Sequence, residues 1–172
     1  MKFNLGCGTD VREGFVNVDG SPIDGVDLVH DLADMPWPIA DGVATEVILI
    51  NVLEHLPDTV RTIEELRRIC RPGAIVRVRV PFYNSPDMFA DPTHRRFFSE
   101  RTFNFFDPRR AECRQRPYYS PARFEVKVHT VWTKFLIAYI PVRLGVAKRA
   151  LLWLGRRVSA VVWVIEFEMK AV

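Results

Sequence analysis

The chain has 172 residues, 48% of them hydrophobic and 26% charged, with a formal net charge of +3. That length and apolar share suit one domain with a sizeable core and exclude a globally disordered chain. So small a net charge does not imply a nucleic-acid partner, although arginine accumulates from Arg95 onward while the first half is acid-rich.

The three cysteines, Cys7, Cys70 and Cys113, are far apart and lack metal-ligand or C-x-x-C spacing. Free thiols in a reducing compartment are expected, and no metal site. The N-terminus has no basic segment followed by an apolar core, so no leader is expected. The most apolar region, Val131 to Ile165, is interrupted by Lys134, Arg143, Lys148, Arg149, Arg156 and Arg157. A spanning helix needs about 20 nearly uncharged residues. The expectation is therefore a cytoplasmic protein that at most lies on a membrane surface.

In chain order, "KFNL" reads as a strand ending at Gly6, and "FVNV" (Phe15 to Val18) as a second, closed by Asp19-Gly20. "VDLVHDL" (Val26 to Leu32) is a third, before a loop marked by Pro36, Trp37 and Pro38. "EVILIN" (Glu46 to Asn51) is almost wholly apolar, as a central strand covered on both faces must be. "DTVRTIEELRRICRPG" predicts a helix capped by Asp58, with Val60, Ile63, Leu66, Ile69 and Cys70 on one face and Pro72-Gly73 as its end. "AIVRVRVP" alternates as a fifth strand. Strands alternating with helix or loop predict an α/β parallel sheet, whose ligands bind beyond the carboxyl ends of the strands. Gly6, Asp19, Asp31, Asn51 and Pro81 all end or follow strands and should share that rim.

The second half changes character. Residues 82–122 are rich in Phe, Pro and Arg and read as a long loop over the rim, with a short helix begun by Ser99. "RFEVKVHTVW" alternates as a sixth strand and "VVWVIEFEM" as a seventh, with an amphipathic helix between them. In that helix Leu144, Ala147, Leu151, Leu154, Val158 and Val161 predict one apolar stripe.

"GCG" after a strand lets the backbone turn tightly and approach a ligand without Cβ clashes. A dinucleotide fingerprint would need a third glycine, a full helix and an acid about 20 residues on. Here the third glycine is missing and Asp19 stands 13 residues after Gly6. NAD and FAD are disfavoured, and a smaller ligand holding an adenosine without phosphates fits better.

At this point the series "LGCGTD", "VNVDGSP", "HDLADMPWPIADG", "EVILINVLEHLPD", "LRRICRPGAIVRVRVP" and "FADPTHRRFFSERTFNFF" resembles the class I S-adenosylmethionine-dependent methyltransferases, specifically the small type 11-like ones. The similarity runs from Asn4 to about Phe106. It implies a Rossmann-like α/β fold: a mostly parallel seven-stranded sheet with the last strand antiparallel, the first crossover helix reduced and the N-terminal helix absent. It also implies a single domain over 1–172, with a cofactor-binding half (1–81), a lid and acceptor loop (82–122) and C-terminal strands with the amphipathic helix (123–172).

The resemblance assigns roles by position. Gly6, Cys7 and Gly8 would pass under the methionine part of S-adenosyl-L-methionine, their backbone atoms meeting its amino and carboxylate groups. Asp19 would accept both ribose hydroxyls, Asp31 and Leu32 would frame the adenine, and Asn51 would sit beside the sulfonium. Phe82, Tyr83 and Asn84 stand where the family meets its acceptor. Arg95 and Arg96 would recognise an anionic group there or are simply solvated. His94, near Asp91, either takes a proton from the acceptor or pins the lid; His55 reads as a structural rim histidine.

The expected function is methyl transfer from S-adenosylmethionine to a small-molecule, saccharide or lipid-linked acceptor. The alternative is a non-catalytic scaffold or partner subunit of the same fold. No nucleic acid is expected as partner. The basic helix within 142–162 either packs on its own molecule or meets an anionic membrane, and a homodimer is a further arrangement to test.

Overall fold

The computed structural model describes residues 1–135, 138–143 and 145–172. Its strands are β1 (Lys2–Leu5), β2 (Val16–Asp19), β3 (Leu28–Val29), β4 (Ala44–Ile50), β5 (Cys70–Pro81), β6 (Phe124–Phe135), β7 (Ala138–Val142) and β8 (Val164–Ala171). They form one eight-stranded sheet in the order β3-β2-β1-β4-β5-β8-β6-β7. From β3 to β5 every pairing is parallel, whereas β8 runs antiparallel to both β5 and β6, and β7 antiparallel to β6. The α/β sheet is therefore as expected, with one correction. Among the described residues eight strands are present rather than seven, because Ala138–Val142 pairs with β6 as an edge strand.

Two strands differ most from the sequence reading. The third strand keeps only Leu28–Val29 of its seven predicted residues; as an edge strand it has one partner, and Val29 is exposed. The alternation of Val76 to Val80 is extended backward to Cys70, so Pro72-Gly73 lies within the span of β5 rather than only ending a helix.

The helix α1 (Thr59–Ile69) is capped as predicted, the Asp58 carboxylate accepting from the Arg61 amide at 3.0 Å. Its buried face is rotated from the expected one: Val60 is 37% exposed, while Thr62 and Glu65 are buried with Ile63, Leu66 and Ile69. Both polar residues are inside because they are bonded there. The Thr62 hydroxyl donates to the Asp58 carbonyl at 2.7 Å, and Glu65 accepts from the Trp37 amide and pairs with Arg68. Those contacts, with Arg68 the larger, hold the Glu65 carboxyl below its usual range against burial, which alone would raise it.

The first crossover runs from Gly6 to Phe15 without a helix, as expected. A polar cluster holds it. Asn4 and Asn17 face each other in register across β1 and β2, and both are buried. Asn4 Nδ2 donates to the Asp10 carbonyl (2.7 Å) and to Asn17 Oδ1 (3.1 Å). Asn17 Oδ1 also accepts from the Arg12 amide (2.9 Å), its Nδ2 donates to the Arg12 carbonyl, and Asp27 accepts from its amide (2.7 Å). Side-chain amides thus supply the partners that a helix would give this stretch of backbone.

The 82–122 segment folds over the rim as short pieces: α2 (Pro86–Ala90), 3-10 turns at Thr102–Phe106 and Pro117–Tyr119, and α3 (Ala111–Gln115). Ser99 does not cap a helix of its own. Its hydroxyl accepts from the Arg101 amide just ahead of the Thr102–Phe106 turn.

The C-terminal helix α4 (Gly145–Gly155) is shorter than the predicted stripe and buries a different face. Leu144 of that stripe lies outside the described residues. Leu154 is 40% exposed and Val158 is exposed, whereas Leu152 and Gly155 are buried. The close approach at Gly155 sets this face, for a Cβ there would stand 2.8 Å from Val162 Cγ2. Lys148 reaches back to the sheet, its ammonium donating to the carbonyls of Val128 (2.7 Å) and His129 (3.2 Å), where the register of β6 shifts. Among the described residues no helix is long and apolar enough to cross a membrane.

Candidate active site

The parallel strands deliver their carboxyl ends to one rim. Gly6 and Gly8, just past β1, both have positive φ (66° and 50°), the conformation glycine adopts without strain. A side chain at Gly6 would meet Val52, its Cβ only 2.5 Å from Val52 Cγ2, so the glycine lets the β1 end lie against the segment after β4. Nothing lies within 4 Å of the corresponding position at Gly8, which leaves an open cradle. Cys7, between them, is buried, and burial raises its thiol pKa, with Asp19 adding to the effect. It fits as a small residue rather than a reactive one.

Asp19, at the end of β2, is tied to this cradle. Its Oδ2 accepts from the Gly8 amide at 2.8 Å and its Oδ1 from the Ser21 amide at 3.0 Å. Each oxygen keeps a lone pair for a further donor, as a diol would require. The amides of Gly6 and Cys7 both donate to the Val18 carbonyl, at 2.8 and 3.0 Å. All three amides of the glycine motif are therefore engaged within the protein. What the turn offers a ligand is carbonyl oxygen, suited to an amino group and not to a carboxylate. Asp31 is exposed, its carboxylate accepting from the Ala33 amide at 2.9 Å, while Leu32 beside it is buried.

Asn51 follows β4 in the left-handed region, with φ 55°. It opens a cleft of about 560 Å³ that Glu54, His55, Pro81, Asp91, His94 and Tyr139 help to line. Glu54 is the unusual member. It is 0% exposed, and neither carboxylate oxygen has a hydrogen-bond partner. Burial, with Asp91 adding to it, pushes its carboxyl up to about 7. The Glu54 carbonyl accepts the amides of Arg95 (2.7 Å) and Arg96 (3.2 Å), which pins the lid segment onto the rim.

The two histidines stand edge to face, their ring centres 4.8 Å apart. His94 Nδ1 lies 3.0 Å from the Met88 carbonyl, which can only accept, so this nitrogen carries a proton and, in the neutral ring, Nε2 the lone pair. His55 Nδ1 lies 2.9 Å from the Thr93 hydroxyl, which itself donates to Asp91 at 2.6 Å. His55 Nδ1 therefore donates as well, leaving its Nε2 free. Burial and the neighbouring His94 lower the His55 pKa. Asp91, expected near His94 as a candidate catalytic residue, is spent on the amide and hydroxyl of Thr93 and acts on His55 through that residue.

The acceptor residues expected from sequence do not gather in this cleft. Phe82 is 0% exposed, its amide bonded to the Trp163 carbonyl, and it packs in the core. That is a correction: a fully covered ring contacts no acceptor. Tyr83 opens instead on a groove with Phe97, Arg101 and Arg156. Asn84 joins the lid to the end of α4, its Nδ2 donating to the Gly155 carbonyl at 3.0 Å. Arg95 and Arg96 are exposed and line a separate, largely apolar groove of about 690 Å³ with Phe97, Phe105 and Tyr119. The sequence reading missed Glu54. Its one signal was a single acid inside the apolar run "VLEHL".

A glycine turn, a strand-end carboxylate and a polar cleft on one rim suit the adenosine-bearing ligand expected above. Residues 4–78 match the family described as "Methyltransferase domain". That match makes residues 4–78, less than half of the chain, similar to the methyltransferase family. Gly6, Gly8 and Asp19 form a cradle that fits S-adenosylmethionine. Solved structures agree in fold. An S-adenosylmethionine-dependent methyltransferase from Thermotoga maritima superposes with a TM-score of 0.62 at 14% identity, over 98% of this chain and 80% of that one. One from Archaeoglobus fulgidus gives 0.62 at 17% identity, over 98% and 85%. One from Mesorhizobium loti gives 0.52 at 13% identity, over 98% and 90%. At such identities the likeness speaks to the fold alone. No curated protein matches the chain.

Proposed function

We propose that the domain methylates a small-molecule, saccharide or lipid-linked acceptor held in the cleft of Asn51, Glu54 and His94. The observation that carries this reading is the contact between Gly6 and Val52. It sets the cofactor cradle directly against the segment that begins the cleft, so a methyl group and an acceptor can meet there. When bound, S-adenosylmethionine supplies a methyl group on a sulfonium, an activated leaving group that leaves mainly alignment to the protein.

In this reading Asp19 accepts the ribose hydroxyls, Asp31 and Leu32 frame the adenine, and the carbonyls of the Gly6–Gly8 turn take the amino group. Asn51 stands beside the methionine part. Glu54 and the Nε2 of His94 act on the acceptor, while Asp91 and Thr93 position His55. Arg95 and Arg96, outside the cleft, would hold a distal anionic portion of a long acceptor.

A non-catalytic scaffold is the second reading, and the internal engagement of all three glycine-motif amides is the observation that favours it. Calorimetric titration with S-adenosylhomocysteine tests both. Saturable binding followed by methylation in an acceptor screen supports the enzyme, whereas no binding supports the scaffold. For 142–162, the bonds of Lys148 to β6 and the ion pair of Arg156 with Glu100 support packing on the molecule itself over a membrane contact. Co-sedimentation with anionic vesicles at low salt would favour the membrane.

A further inference from the structure

Among the described residues, Glu54, His55 and His94 each offer one ligand atom, and these atoms lie within 4.8 Å of one another. We propose that Glu54, His55 and His94 form a binding site for a divalent transition-metal ion that opens into the acceptor cleft. The spacing along the chain hides this group, since His94 comes from the lid segment and the other two from the loop after β4. The lid is brought there by the bonds of the Arg95 and Arg96 amides to the Glu54 carbonyl.

Three features support a metal over a purely structural cluster. Glu54 is fully buried, yet both its carboxylate oxygens lack a partner, a cost that a protein rarely carries without a ligand for the group. Both imidazoles are already held as metal-ligating histidines are, Nδ1–H donating to an outer acceptor and Nε2 left with its lone pair. That outer shell is the Met88 carbonyl for His94, and Thr93 backed by Asp91 for His55. The donor set of two imidazoles and one carboxylate suits zinc and its neighbours rather than magnesium or calcium, which prefer oxygen ligands throughout.

Ligand atoms around such an ion sit at about 2.0–2.2 Å from it. The pairwise distances therefore close slightly on binding, within reach of side-chain rotation at the half-buried histidines. Three protein ligands leave a coordination position open to the cleft. An acceptor that uses it does so through an oxygen, a hydroxyl or a carboxylate. That last step rests on the methyl-transfer reading above, while the metal site stands on its own residues.

The test uses the full untagged chain, freed of metal with a chelator and titrated with Zn²⁺ by calorimetry, then with Co²⁺ as a spectroscopic substitute. The wild type should bind one equivalent of zinc and give the visible d–d absorption of low-coordinate cobalt. Glu54→Gln and His94→Gln should each weaken zinc binding at least tenfold and abolish the cobalt band, with S-adenosylhomocysteine affinity retained as proof of folding. Thr93→Val, which touches no metal, should weaken it about tenfold by releasing His55. No zinc uptake by the wild type overturns the proposal. So does uptake unchanged in Glu54→Gln, which would place the ion at a thiol such as Cys7. Failure of S-adenosylhomocysteine to bind a chain that still takes zinc would overturn the cofactor reading and leave the metal site intact.

Discussion

Two polar clusters stand in the structure, and they are opposites. Around Asn4, Asn17 and Asp27, side-chain amides and a carboxylate meet backbone groups and one another, and the result replaces a missing helix. Around Glu54, a carboxylate is fully buried but bonded to nothing. Polar groups that satisfy each other inside a protein build structure, whereas a buried group left unsatisfied is held ready for something else. The contrast separates scaffold from site more sharply than residue type does, since both clusters consist of ordinary Asn, Asp, Glu and His.

The largest effect should come from breaking the satisfied cluster. Asn17→Ala strands the Arg12 amide and removes one of the two partners of Asn4 Nδ2, while Asp27 keeps the residue-17 backbone amide, and should cost about 3 kcal/mol of stability in urea unfolding. A loss below about 1 kcal/mol would mean that water replaces the side chain and that the crossover does not depend on it.

Asp107 extends the satisfied class to the lid, for its buried carboxylate accepts from the amides of Val126 (3.0 Å) and Arg109 (2.9 Å). Burial alone would raise its pKa, but Arg109 and these amides outweigh it and hold the carboxyl below its usual value. Because the folded-state pKa is depressed, the stabilisation is present above the unfolded value, about 3.8, and is lost as pH falls through the folded one. Asp107→Asn should cost about 2 kcal/mol near neutrality, and the gap from wild type should close in acid. A gap independent of pH would show that packing rather than charge holds this corner.

Asp19 tests the border between the two classes, being bonded internally yet open on its far side. Asp19→Ala should weaken S-adenosylhomocysteine binding by about 2 kcal/mol, the range for hydrogen bonds to a charged group, as read by calorimetry. Unchanged affinity in a folded variant would remove it from the cofactor site.

Glu54 should respond with the smallest change and the opposite sign. Glu54→Leu removes a buried polar group without stranding a partner, so stability should rise by about 1 kcal/mol while methyl transfer falls. A marked destabilisation would show that an unseen partner satisfies the carboxylate and would place it with the scaffold.

What the sequence made legible follows the same division. β4 was readable because a strand covered on both faces must be apolar throughout, and the capping of α1 because Asp58 bonds locally. The rim was readable because a parallel sheet sends all its carboxyl ends one way. The buried face of α1 was misjudged at Val60 and Glu65, since the Trp37 amide that draws Glu65 inward comes from a distant loop. The face of α4 was misjudged because periodicity favoured Leu154 and Val158, whereas the contact of Gly155 with Val162 decides it. Glu54 was the hardest. The Arg95 and Arg96 amides that bond its carbonyl come from far along the chain, a contact that no local pattern encodes.

The hydrogen bond from the Gly8 amide to Asp19 makes the floor and the wall of the cradle a single stiff piece. The entropy of arranging them is then lost once, when the chain folds, and need not be lost again when a nucleoside arrives. Association should therefore proceed with little reshaping, and tightness should depend on how slowly the occupant leaves. In the methyl-transfer reading the spent cofactor must leave after each turn, and a short, pre-tied loop in place of a helix gives it a seat that is ready in advance.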